Sequence, residues 1–107
     1  MKTRLKFAPR ASAYVLHYDS PRGVSLVSYK TRVIDLVYDT VTPEPVIKVR
    51  GTFSMTTQRH MRAFAREYVD ADPSDVMNAI RAVTRTTVRA VQLSSVRIEY
   101  DPTMPTL

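Results

Sequence analysis

Two histidines, ten acidic side chains and no cysteine are what this chain of 107 residues offers for acid–base, nucleophilic or metal chemistry. His17 and His60 fall in different elements, and scattered acids around two histidines do not have the spacing of a metal site. His60 lies seven residues before Glu67, two helical turns away, and reads as a boundary residue or a cap partner of the Ser54–Thr57 segment rather than a base. Asp72 and Asp75 form a helix cap, not a catalytic carboxylate pair. Gly23 and Gly51 are the only glycines, so no glycine-rich phosphate loop can form. No catalytic residue, metal ligand or cofactor is assigned, and the expectation is a protein that is not an enzyme.

The arginines are the informative residues. The chain carries +6 net charge, with arginine far outnumbering lysine. On a helix of 3.6 residues per turn, Arg59, Arg62 and Arg66 fall within about a 60° sector. Arg81, Arg85 and Arg89 stack at i, i+4 and i+8, a ridge about 12 Å long. A solvated helix face usually places acids three or four residues from its arginines. Here Arg81, Arg85, Arg89, Arg59 and Arg62 have none at such positions, and Arg66 has only Asp70. Like charges at i, i+4 repel slightly, so an anion is expected to meet the ridge. Strand carboxylates such as Asp35 or Asp39 could supply it within the fold. Phosphates or an acidic protein surface could supply it from outside, and planar, bidentate guanidinium suits both. Lys2, Arg4, Lys6 and Arg10 would add to the same field as a flexible basic arm over residues 1–11. Tyr14, Tyr18, Tyr29 and Tyr38 are candidates for stacking on bases, although tyrosines on half-buried strands mostly edge a core.

The elements that must position these residues follow one another without a linker, as one domain over 1–107. Alternation in 13–18, β-branched and aromatic runs at 24–29 and 32–41, and a short strand at 46–49 give four strands. Ile34, Leu36 and Tyr38 form the better core face of the third. Asp19-Ser20-Pro21-Arg22-Gly23 reads as a turn with Gly23 free to adopt positive φ. Thr42-Pro43-Glu44-Pro45 breaks the ladder, and Gly51 ends the fourth strand or bulges. Helix one follows Ser54, with Thr56 or Thr57 as N-cap, and buries Met61, Phe64, Ala65 and Tyr68. Asp72-Pro73-Ser74-Asp75 starts helix two with Asp at N-cap and Pro at N1. Its apolar stripe runs Val76, Ile80, Val83, Thr87 and Ala90, and the β-branched run from Thr84 to Val88 leaves its end open. Val96, Ile98 and Tyr100 make a closing strand, and 102–107 reads as a frayed tail. The expected fold is α+β, a mainly antiparallel sheet of four to five strands packed against two helices, with a C-terminal strand.

Such a chain can bury roughly two thirds of its unfolded surface, enough for one core without staples. No run approaches the ~20 apolar residues of a membrane span, and no signal-peptide core follows the basic start. Lack of thiols fits a reducing compartment. The expected location is the cytoplasm.

Ser28-Tyr29-Lys30-Thr31, then Ile47 to Gly51, then Thr52-Phe53-Ser54-Met55-Thr56-Thr57-Gln58-Arg59-His60 leading into a helix, resemble a pattern in small phage- and prophage-encoded proteins. There a Ser-Tyr-x-Thr strand precedes a Ser-x-Thr-Thr-x-x-His helix start. The resemblance covers residues 28–69 and brings no catalytic residue, because that family has no assigned activity. It implies a phage-type accessory protein acting on host or defence machinery in the host cytoplasm. The resulting expectation is a protein that binds nucleic acid or a nucleoprotein complex through its basic ridges, with inhibition of a host defence nuclease as one version. The alternative is a protein–protein module, either a self-associating (homodimeric) component or an inhibitor gripping an acidic patch.

Overall fold

The computed structural model describes residues 1–19, 22–38, 40–41, 44–51 and 53–104. The fold is α+β. Its strands are β1 (Lys2–Thr3), β2 (Ala13–Asp19), β3 (Arg22–Ser28), β4 (Thr31–Val37), β5 (Val46–Val49), β6 (Ala90–Gln92) and β7 (Arg97–Tyr100), and its helices are α1 (Met55–Tyr68) and α2 (Pro73–Arg85). One 7-stranded sheet runs in the order β1-β2-β3-β4-β5-β7-β6. Neighbours are antiparallel except β5 and β7, which are parallel. The expected four to five strands fall short because β1 and β6 are only two and three residues long and carry no periodic signal of their own.

Strand register places apolar side chains in cross-strand rows. Val24, Leu36, Ile47, Ile98 and Val91 stand opposite one another across β3, β4, β5, β7 and β6. Val15, Leu26, Ile34 and Val49 form the adjoining row. The buried stripes of the helices join the same core: Met61, Phe64 and Ala65 from α1, and Val76, Ile80 and Val83 from α2. Non-directional apolar burial of this kind is the main favourable term in folding. Ile34 and Leu36 are buried as expected, while Tyr38 is half-buried. Val33 is buried too, because a register shift between Leu26 and Val27 leaves it as an extra residue opposite β3.

The opposite sheet face carries a polar row, Ser25, Asp35, Lys48 and Glu99, beside buried Val27 and Val46. Asp35 accepts from Ser25 Oγ (2.5 Å) and Arg32 Nε (2.6 Å), and the Arg32 guanidinium lies 5.1 Å from the Tyr18 ring centre. The chain after β7 returns across this face. Asp101 N donates to Val49 O (2.8 Å), and Met104 is buried. Residues 102–104 are therefore held rather than frayed, whereas 105–107 lie outside the described residues. Asp19 pairs with Arg22 across a hairpin, but Ser20 and Pro21 of the expected turn also lie outside them. Gly23 sits inside β3 and does not have positive φ. Its role is size: a Cβ there would stand 2.5 Å from Leu36 O.

The helix ends are set by local hydrogen bonds. Ser54 caps α1, its Oγ accepting from Thr57 N at 3.3 Å, so the cap lies just ahead of the two threonines expected for it. Asp72 caps α2 as expected, accepting from Ser74 N (2.7 Å) and Asp75 N (3.3 Å), with Pro73 at N1. Helix α2 stops at Arg85. The hydroxyls of Thr84 and Thr86 donate back to Ile80 O (2.6 Å) and Ala82 O (2.5 Å), the competing bonds that make such residues poor at continuing a helix. Thr87 and Ala90 thus leave the expected stripe, and Ala90 opens β6.

The N-terminal segment is docked, contrary to the flexible arm expected of residues 1–11. Strand β1 pairs with β2, Leu5 is fully buried, and Lys6 N donates to Glu67 Oε2 at 2.7 Å. Thr3 Oγ1 lies 2.8 Å from His17 Nε2, whose ring meets Tyr68 edge-on at 6.1 Å. One apolar anchor and these polar contacts outweigh the repulsion among Lys2, Arg4, Lys6 and Arg10.

Candidate functional site

Burial of Met61, Phe64 and Ala65 turns Arg59, Arg62 and Arg66 outward. They stand in one groove of about 400 Å³ with Phe7 and Pro73. Arg62 Nη2 donates to Ser74 Oγ at 2.6 Å, and the Arg66 guanidinium lies 4.3 Å from the Phe7 ring centre. The latter is cation–π geometry, which holds the charge in place without neutralising it. Arg59 and Arg62 also border a neighbouring groove of about 170 Å³ with Met55, Met77 and Arg81. Arg81 reaches Asn78 Oδ1 (3.2 Å) and Gln58 Oε1 (3.4 Å), both neutral acceptors. The seam between α1 and α2 therefore carries Arg59, Arg62, Arg66 and Arg81 around two adjoining grooves. Among the described residues, no acidic side chain lines either groove.

Arg81, Arg85 and Arg89 do not form a ridge, because α2 ends at Arg85. Arg89 instead folds back, donating through Nη1 to Val83 O and Thr86 O (both 3.1 Å), with its guanidinium 4.7 Å from the Tyr100 ring centre. A cation on the last carbonyls of a helix is a stabilising cap. Arg85 is exposed one turn beyond Arg81. Asp35 does not neutralise these arginines, since it is bonded to Arg32 and Ser25 on the other side of the sheet, and Asp39 lies outside the described residues. Among the described residues, none of Arg59, Arg62, Arg66, Arg81, Arg85 and Arg89 pairs with a carboxylate.

The residues that carry the resemblance meet in space. Ser28, at the end of β3, lies with its Oγ 2.7 Å from His60 Nδ1 and 3.0 Å from Thr57 Oγ1. All three side chains are buried. Burial pushes the His60 pKa below its ordinary value, because desolvation disfavours the charged ring. The Tyr29 ring lies 5.5 Å from the His60 ring. His60 is thus an inward residue that clasps α1 to the sheet, more deeply buried than the expected boundary position. Ser28 is 1% exposed, so its hydroxyl is sealed from any substrate. Sequence reasoning missed this clasp. Its traces were the pattern that joins Ser28 to Thr57 and His60, and the placing of those two polar residues one turn apart on the face of α1 that also presents Met61 and Phe64.

Among the described residues, no three His, Asp or Glu side chains gather as metal ligands, and no helix is long and apolar enough to cross a membrane. No family model matches the chain, and neither the curated proteins nor the solved structures searched include a match to it.

Proposed function

We propose that this protein binds nucleic acid, alone or within a nucleoprotein complex, through the arginine surface along the α1–α2 seam. The observation that carries the reading is the set Arg59, Arg62, Arg66 and Arg81 around two adjoining grooves, with no carboxylate in either among the described residues. Guanidinium groups presented this way suit phosphate oxygens, and each phosphate they neutralise releases a counterion. Arg85 extends the surface; Arg89 does not belong to it. The resemblance of residues 28–69 to small phage proteins suggests the finer version, an accessory protein in the host cytoplasm that blocks a host defence nuclease without catalysing a reaction.

Phe7 and Met55 are large, exposed and apolar at the rims of the same grooves. They favour a second reading, an acidic protein patch with apolar anchors. Fluorescence anisotropy with labelled single-stranded DNA, duplex DNA and RNA separates the two. The protein is compared with a variant carrying Arg59→Glu, Arg62→Glu and Arg81→Glu, whose fold is checked by circular dichroism. Binding that falls steeply between ~50 and ~200 mM salt and is lost in the folded variant supports nucleic acid as the partner. Absence of binding to all three overturns it and leaves the acidic protein patch.

A further inference from the structure

A second basic surface, separate from the helix seam, lies where the N-terminal segment passes the tip of the β3–β4 hairpin. It is a groove of about 780 Å³ lined by Lys2, Arg4, Arg10, Tyr14, Tyr29 and Lys30, with no acidic side chain in its walls among the described residues. Two of its cations, Lys2 and Arg4, are held by contacts of their own. Lys2 Nζ stands 4.6 Å from the Tyr14 ring centre, and Arg4 Nη1 donates to Pro9 O at 3.3 Å.

The hairpin tip is unusual. Tyr29 and Lys30 adopt φ of 49° and 68°, left-handed values that glycine or asparagine normally supply. Holding two side-chain-bearing residues there costs about 1–2 kcal/mol each. Such strain persists only where its surroundings over-determine it, and it clusters at functional sites. Here Tyr29 N donates to Ser12 O (2.9 Å), and the ring rests against His60. The result is an aromatic residue, 56% exposed as a whole, whose ring stands at the rim of a cationic groove.

We infer that this groove binds single-stranded nucleic acid, with a base stacked on Tyr29 and the flanking phosphates held by Arg4, Arg10 and Lys30. The inference rests on nucleic acid being the partner, but on residues distinct from the helix seam. Aromatic platforms interleaved with cations are how non-specific single-strand binders hold a chain, because every base has a π-face. A duplex offers no free face within its stack, so Tyr29 selects unpaired strands.

The test compares a labelled oligonucleotide of about ten nucleotides with an abasic sugar–phosphate strand of the same length and charge. Tyr29→Asn removes the ring while keeping a residue that tolerates the left-handed turn, and circular dichroism checks its fold. The native protein is expected to prefer the base-bearing strand by about tenfold, the order of one base stack. Tyr29→Asn should abolish that preference and leave duplex binding unchanged, whereas Arg10→Ala should weaken both strands alike. Equal affinity of the native protein for the two strands, or an undiminished preference in folded Tyr29→Asn, overturns the inference. If the helix-seam variant loses binding while Tyr29→Asn keeps the native preference for the base-bearing strand, this inference alone falls. If Tyr29→Asn loses the preference while the helix-seam variant binds as the native protein does, the groove stands and the helix-seam reading falls.

Discussion

Replacing Ser28 by alanine isolates the clasp between α1 and the sheet. Ser28 Oγ is 1% exposed at the residue level and serves two buried partners, Thr57 Oγ1 at 3.0 Å and His60 Nδ1 at 2.7 Å. Deleting the hydroxyl strips both of this contact in a space that water does not readily enter. A buried polar group left unpaired costs about 1–3 kcal/mol. Partial relaxation of His60 and Thr57 toward each other brings the expected loss for Ser28→Ala to about 2–3 kcal/mol. In a chain of this size that lowers the melting temperature by roughly 10–15 °C. Thr57→Val leaves the Ser28–His60 contact intact and should cost only about 0.5–1.5 kcal/mol. The double variant should cost less than the two singles together, because they share one network. Urea unfolding followed by circular dichroism at pH 7.5, with the slope unchanged between variants, measures all three. A Ser28→Ala loss under about 0.5 kcal/mol, or strict additivity in the double variant, would refute the clasp.

Three further outcomes follow from the same geometry. Arg59→Ala with Arg62→Ala should flatten the salt dependence of duplex binding by a slope of about 2, near 0.9 per lost phosphate contact, as titrations at several salt concentrations would show. His60 resists protonation in the folded state because it is buried. Its contribution to stability is therefore complete above the ordinary histidine pKa of about 6.5 and is lost as pH falls from there toward the lower folded-state value. Melting temperatures at pH 7.5, 6.5 and 5.5 should decline in the native protein, and the decline should be shallower in His60→Gln. Gly23→Ala should destabilise by about 1–3 kcal/mol, the cost of overpacking, because its Cβ would lie 2.5 Å from Leu36 O; calorimetry that showed no loss would mean β3 and β4 can part at that point.

Features settled within a few residues were legible beforehand. Asp72-Pro73 opens α2 because a carboxylate reaches the next free amides and proline needs none. Met61, Phe64 and Ala65 face inward because helical spacing puts them on one side. Val46–Val49 forms the strand its β-branched run implied. The cationic character of the outer helix surface was likewise visible, since the missing acids are a property of spacing. The end of α2 was not, and with it went the membership of Arg89, because side-chain bonds from Thr84 and Thr86 compete with the backbone there on nearly equal terms. Strand β1 gains its order from β2 and from buried Leu5, not from two residues of its own.

Pairings between distant segments belonged to the tertiary structure alone. The parallel match of β5 with β7 brings together strands separated by both helices. Ser28 meets Thr57 and His60 only because α1 crosses the end of β3. Arg59 and Arg62 share a groove with Arg81 only because the helices pack side by side. Periodicity and capping are read along the chain because their hydrogen bonds close within one or two turns. Which faces meet depends on burying the largest apolar area at once, a quantity that no local stretch of sequence contains.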